Sequence, residues 1–379
     1  MRVLSCGGGW ARHNLSLRTV WHGPKEAASS GARGKNSMRK CLALGLAVLG
    51  ALALHAYPQE KAPLQLVQTI PLPSVQGRFD HLDVDVEGKR LFVVAVESGS
   101  TEVVDLAAGK WTRSIPGFKT PTEPVYVPQL NKLFVVSRDD GMVRVFRGDS
   151  LDLVDSLKLE LGANRAFYDP ATQYLYVGYG GHLAGFDYCR VGLIDARNDK
   201  LLGDIVVNYE SQSSQILMDN ATRRIFVAVP EHRRMDVFDA KDRQLVLSWA
   251  TGGEGGDMAL DQTHHRLFLA TRNSPQMMVV YDSESGQEIA SLPAEGRMNG
   301  VYYDAGHQRI YVTCGRELPA GFVFVYQQKD PDHYEFTGKV PTGPGAGTSF
   351  WVPALNRFYV AAPAHEKQEA AVLVFEPQP

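Results

Sequence analysis

Cysteine is scarce, with four in 379 residues, and two of these, Cys6 and Cys41, stand in an N-terminal segment unlike the rest of the chain. A scaffold built on disulfides is thereby excluded. Long apolar runs are also missing: the stretch at 41–54 is too short and too rich in small residues to span a membrane. No pair of histidines stands at H-x-H or H-x-x-x-H spacing, so no compact metal motif is written in the chain. Basic charge is not in excess either, with 39 Lys and Arg against 42 Asp and Glu.

Residues 1–56 account for eight of the basic residues and one of the acids. From Met38 the chain reads MRKCLALGLAVLGALALHA: two basic residues, an apolar run, then small residues. That is the layout of a secretory signal peptide, expected at 38–56 with cleavage after Ala53 or Ala56. Cys41 lacks the small and apolar residues that a lipoprotein anchor needs before it. Residues 1–37 hold basic residues, Gly and Ser, and are expected to be a functionally silent extension. Either Met38 is the true initiator, or the extension is an organellar transit segment of similar composition. Residues 57–63 read as a linker. Without 1–56 the chain keeps 31 basic and 41 acidic residues, a net charge of −10. Nucleic acid is therefore not an expected partner, and no transmembrane anchor is expected after cleavage.

What is present is a repeat. Strand-forming segments LFVV, LFVV, LYVG, IFVA, LFLA, IYVT and FYVA begin at Leu91, Leu133, Leu175, Ile225, Leu267, Ile310 and Phe358, in steps of 42, 42, 50, 42, 43 and 48 residues. A period of about 40 to 50 residues with several short strands per unit marks a β-propeller. The predicted fold is all-β: seven blades of four antiparallel strands over 64–379. In the first unit the strands are expected at 81–86, 91–96, 101–106 and 110–115. The seventh unit lacks its outermost strand, and LQLVQTIPL (64–72) is expected to supply it and close the ring. Cys189 and Cys314 fall in blades 3 and 6, too far apart for a disulfide, and are expected as buried free thiols.

The turn between the first and second strands has one length in all seven units. Six residues before each anchor stand Asp85, Val127, Asp169, Asp219, Asp261, Asp304 and Val352, read as turn formers. His264 and His265, in the blade-5 turn, read as solvated. On the opposite face lengths vary, and the largest insertion is GYGGHLAGFDYC at 178–189, in blade 3. Variable loops of this kind are where function concentrates.

That face also carries the starts of the innermost strands. Ten residues before each anchor stand His81, Glu123, Arg165, Gln215, Asp257, Gly300 and Thr348, and one residue earlier Asp80, Thr122, Asn164, Ser214, Gly256, Asn299 and Gly347. A polar ring above an apolar wall is the usual form of a small-ligand site, although propeller channels are polar in any case. The candidate ligand-binding residues are Asp80, His81, Glu123, Asn164, Arg165, Gln215, Asp257, Asn299 and Thr348. Within them His81, Glu123 and Asp257 could hold a divalent metal. Alternatively, Arg165 could grip a carboxylate or phosphate while His81, paired with Asp80 or Glu123, moves a proton. TGGEGGD (251–257) and PTGPGAGT (341–348) precede strands instead of helices and are not phosphate loops.

YDPATQYLYVGYG, FVAVPEHRRMDVFDA and YDAGHQRIYVTCG, with their Y-V strands and D-P turns, resemble the YVTN-repeat (YncE-like) bacterial propellers, and GRFDHLDVD resembles the opening blade of their extracytoplasmic branch. The resemblance covers about 65–375. It implies an exported seven-bladed propeller, periplasmic or secreted, and carries no catalytic motif. Two functions follow as expectations. The favoured one is a binding or scaffold propeller taking a small molecule or protein at the channel mouth. The alternative is a lactonase-like hydrolase or a lyase, with or without a metal, working at the same ring.

Overall fold

The computed structural model describes residues 62–208, 215–273, 275–316 and 320–379. The expected leader and extension lie outside the described residues, as do all of the linker but Ala62 and Pro63. Among the described residues, twenty-eight strands form seven four-stranded antiparallel sheets. Blade 1 comprises Phe79–Asp85, Arg90–Ala95, Ser100–Asp105 and Lys110–Pro116, each within two residues of its expected bounds. The other innermost strands are Pro121–Val127, Ala166–Asp169, Gln215–Asp219, Gly255–Asp261, Arg297–Asp304 and Thr348–Val352. These pack against one another in cyclic order, blade 7 against blade 1 included.

Ring closure is as expected. Leu64–Pro71 pairs antiparallel with Ala371–Pro377, placing Leu64 opposite Pro377, and becomes the outermost strand of blade 7. Ile70 and Leu72 are fully buried there.

The core is divided among the interfaces between blades. Phe92 and Val94 of blade 1 pack on Leu133 and Val135 of blade 2, while Leu91 and Val93, facing the other way, pack on Tyr359 and Ala361 of blade 7. Successive residues of a strand point to opposite faces. A second strand with a blade on each side must therefore be apolar at every position, which is why the anchors read as unbroken hydrophobic runs.

The turn aspartates do what their chemistry suggests. Asp85 accepts from the Gly88 amide at 2.9 Å, Asp219 from the Ala221 amide at 2.9 Å, and Asp304 from the Gly306 amide at 3.1 Å. Where Val-Pro replaces Asp, in blades 2 and 7, the turn is a short 3-10 helix, Pro128–Leu130 or Pro353–Leu355. All seven turns share a demand that composition hides: the residue two before each anchor has positive φ. These residues are Lys89, Asn131, Gln173, Arg223, His265, Gln308 and Asn356.

Cys189 and Cys314 are buried and neither is in a disulfide, and burial pushes the Cys314 thiol up to about 12. The blade-3 insertion is shorter than expected, because its flanks are sheet: Gly178 pairs with Val191 and Gly180 with Cys189. Only 181–188 form a loop, with a 3-10 turn at His182–Ala184. Arg190 fastens it, its guanidinium 4.9 Å from the Tyr188 ring centre and 5.4 Å from that of Phe186, and pairs with Glu160. Among the described residues no helix is long and apolar enough to cross a membrane.

Candidate functional site at the channel mouth

The innermost strands break register where the polar ring lies. Bulges fall between Phe79 and Leu82, Pro121 and Glu123, Gly255 and Met258, and Met298 and Val301. An extra residue in one strand re-aims the side chains around it. In blades 1, 2, 5 and 6 the residues so placed include Asp80, His81, Thr122, Gly256, Asp257, Asn299 and Gly300.

Five expected site residues meet in one connected group. His81 Nδ1 lies 2.9 Å from the Thr122 carbonyl oxygen, 3.1 Å from Asp80 Oδ1 and 3.2 Å from Glu123 Oε2. Arg165 Nη1 donates to the same Glu123 oxygen at 2.9 Å, and Nη2 lies 3.4 Å from Asp257 Oδ1. Asp257 Oδ2 accepts from the Val301 amide at 3.3 Å, carrying the network into blade 6. Outside it, Arg78 stands 3.8 Å from Asp80. Asp80, His81, Glu123 and Asp257 are all buried.

Asn299 and Thr348 form a separate link: Asn299 Nδ2 is 3.4 Å from Thr348 Oγ1, which donates to the Phe79 carbonyl at 3.3 Å. Asn164 enters through its backbone, its carbonyl accepting from Thr122 Oγ1 at 3.0 Å. Gln215 is 2% exposed, and its Oε1 is buried with no hydrogen-bond partner. Ser214 lies outside the described residues. Gly300 leaves no opening, since a Cβ there would stand 2.7 Å from Ser349 Oγ.

Two residues deeper on each strand the wall is Asp83, Val125, Phe167, Leu217, Ala259, Tyr302 and Phe350. Asp83 and Tyr302 are its polar members and were not singled out from sequence; the same ruler advanced by two residues would have found them. Asp83 accepts from the Tyr126 amide at 2.6 Å and the Val84 amide at 2.8 Å. The Tyr302 hydroxyl donates to the Ser349 carbonyl at 2.5 Å.

Electrostatically the mouth gathers four acids, Asp80, Asp83, Glu123 and Asp257, with Arg78 and Arg165 in ion pairs to three of them. Burial holds Glu123 well above the usual carboxylate range; Arg165 opposes this, but Asp80, Asp257 and Asp83 reinforce it. Burial likewise pushes Asp83 up to about 7, against two backbone hydrogen bonds. Burial would lower Arg165, but Glu123 and Asp257 outweigh it and hold the guanidinium charged. Burial and the Asp257 charge together raise the Tyr302 phenol well above its ordinary value.

The expected metal trio does converge, but on Arg165: the guanidinium contacts both carboxylates, and His81 shares the Glu123 oxygen with it. Among the described residues no three His, Cys, Asp or Glu side chains are grouped to hold a metal ion. A groove of about 530 Å³, lined by Leu66, Pro71, Pro341, Ala362, His365 and Glu369 among others, lies between blades 6 and 7 and includes no ring residue. The convergent polar chemistry is at the mouth instead.

Fold and mouth together define a closed seven-bladed propeller whose channel entrance is crossed by buried ion pairs. No protein-family model matches the chain, and no curated protein matches it. Among solved structures it is similar to a chain of the hydrazine synthase of Kuenenia stuttgartiensis, at 15% identity and a TM-score of 0.65, over 76% of this chain and 94% of that one. Identity this low speaks for a shared fold alone.

Proposed function

We propose that the chain is an exported propeller of YVTN type that binds a ligand or partner at the channel mouth. Export rests on the leader-like sequence at 38–56, and the family on the repeat segments. Binding rests on one observation: charged and polar side chains of blades 1, 2, 3 and 5 are buried in a continuous network at the mouth. Burying charges seldom stabilises a fold better than apolar packing would, so the arrangement points to a task other than stability. The buried, unpartnered Arg165 Nε and Gln215 Oε1 supply a donor and an acceptor for an incoming molecule.

The hydrolase or lyase reading draws support from His81, which lies within reach of two carboxylates. That reading also needs room for a substrate between His81 and Arg165, and there the Glu123 carboxylate bridges the two. Binding is the better supported of the two.

The test is a ligand screen by thermal shift on the mature protein, repeated on Glu123→Gln and His81→Ala, with elemental analysis for bound metal. The binding reading expects ligands that stabilise the wild type and lose that effect in Glu123→Gln. Ligand shifts of equal size in both proteins would move the site elsewhere. Lactone turnover abolished by His81→Ala would favour the enzyme.

A further inference from the structure

Resting on the binding reading, we infer that the mouth selects an organic amine: a ligand carrying an ammonium group, a neutral hydrogen-bond acceptor beside it, and an apolar body. Three independent features of the site carry this.

The first is charge. Four carboxylates, Asp80, Glu123 and Asp257 at the ring and Asp83 just beneath it, gather at the mouth, and the cations beside them are already engaged: Arg165 gives Nη1 to Glu123 and Nη2 to Asp257, and Arg78 stands 3.8 Å from Asp80. The guanidinium fork that would grip an anionic ligand is thus in use. For the bidentate carboxylate or phosphate grip expected from sequence, only Nε is left without an acceptor, and a single donor does not make a bidentate grip. Burial and neighbouring acids hold Glu123 and Asp83 towards their protonated forms; an incoming ammonium would favour their ionised forms, whereas an anion would add to the repulsion.

The second feature is the unmet hydrogen bonding. Gln215 sits in the ring between the blades of Arg165 and Asp257, almost wholly buried, with Oε1 unpartnered. An amide oxygen in that position asks for a donor, which an ammonium supplies. Arg165 Nε is the converse, a buried donor without an acceptor. With carboxylates close by, a neutral amide or hydroxyl oxygen suits it better than a second anion.

The third is the wall beneath. Phe167, Leu217, Tyr302 and Phe350 are part-exposed on the innermost strands, and Tyr302 and Phe350 meet edge to face with centroids 6.0 Å apart. Aromatic faces attract cations and bury apolar groups.

Phenylalaninamide combines the three requirements and is the probe. It is titrated calorimetrically into the mature protein beside N-acetylphenylalaninamide, which is neutral, and N-succinylphenylalaninamide, which is anionic. The amine is expected to bind at least about tenfold more tightly than either, the size of one charge-assisted hydrogen bond. The preference should shrink in high salt and fall in Gln215→Leu, and also in Asp83→Asn, a variant that keeps the side-chain shape. A neutral or anionic probe binding as well as the amine would overturn the amine class and leave the site standing. So would binding of none of the three while some ligand of the wider screen still stabilises the protein through Glu123. No binding by any probe and no such stabilisation would overturn this inference and the binding reading together.

Discussion

Arg165 of blade 3 reaches past blade 4 to lie 3.4 Å from Asp257 of blade 5, while its other terminal nitrogen holds Glu123 of blade 2. One side chain thus ties blades 2, 3 and 5 across the entrance. Arg165→Met should leave two buried carboxylates without their cation, at a cost of about 3 to 5 kcal/mol at neutral pH. Denaturant unfolding measures this. The deficit should narrow as the solution is acidified, and Arg165→Met combined with Glu123→Gln should recover part of it.

Asp83 gives the protein a pH dependence of definite sign. Its folded pKa, about 7, lies above the ordinary 3.8, so between those values the folded chain keeps a proton that the unfolded chain has released. Stability from this residue is complete below about pH 4 and is lost as the pH rises through 7. Asp83→Asn should flatten that slope and leave the protein at least as stable as wild type at pH 8. Unfolding midpoints taken from pH 4 to 8 would show it, and a wild-type slope unchanged in the variant would count against it.

Lys89 occupies an exposed turn position at φ 50°, in the left-handed region. Blades 2 and 7 have Asn at the equivalent site, and Asn tolerates this conformation better than residues with longer side chains. Lys89→Asn should raise stability by roughly 0.5 to 1 kcal/mol, seen as a higher Tm.

The closing strand depends on Ile70, which is fully buried between blade 7 and blade 1. Ile70→Ala should cost about 2 to 5 kcal/mol. Deletion of 62–72 should go further and expose the bare edge of Ala371–Pro377, detectable as aggregation and dye binding.

Much of the fold was legible because it repeats. A single LFVV is ambiguous, but seven at a period of 42 to 50 residues are not, and the turn aspartates and the missing outermost strand of the seventh unit follow from aligning them. The ring at Asp80, His81, Glu123, Arg165 and Asp257 was found by counting back from the anchors. Its wiring was not, because bulges depend on which residue faces which across the strands, and no local pattern records that. From sequence Arg165 read as a hand open to an anion; the structure has it holding Glu123 and Asp257. Lys89 and Gln308 were hidden for another reason: positive φ is usually signposted by glycine, and here it falls on residues of no special type.

The pairing of Leu64 with Pro377 also sets an order of events. Neighbouring strands within a blade meet early, since little chain separates them, but the seam joins the two ends of the domain and carries the largest loop-closure entropy of any pairing in the ring. Blades 1 to 6 can each complete their sheets from consecutive chain, whereas blade 7 must wait for a strand that was made first. The seam is thus expected to shut last, as a latch, and until it does the half-built ring would be the form of this protein with most to fear from proteases and from other copies of itself.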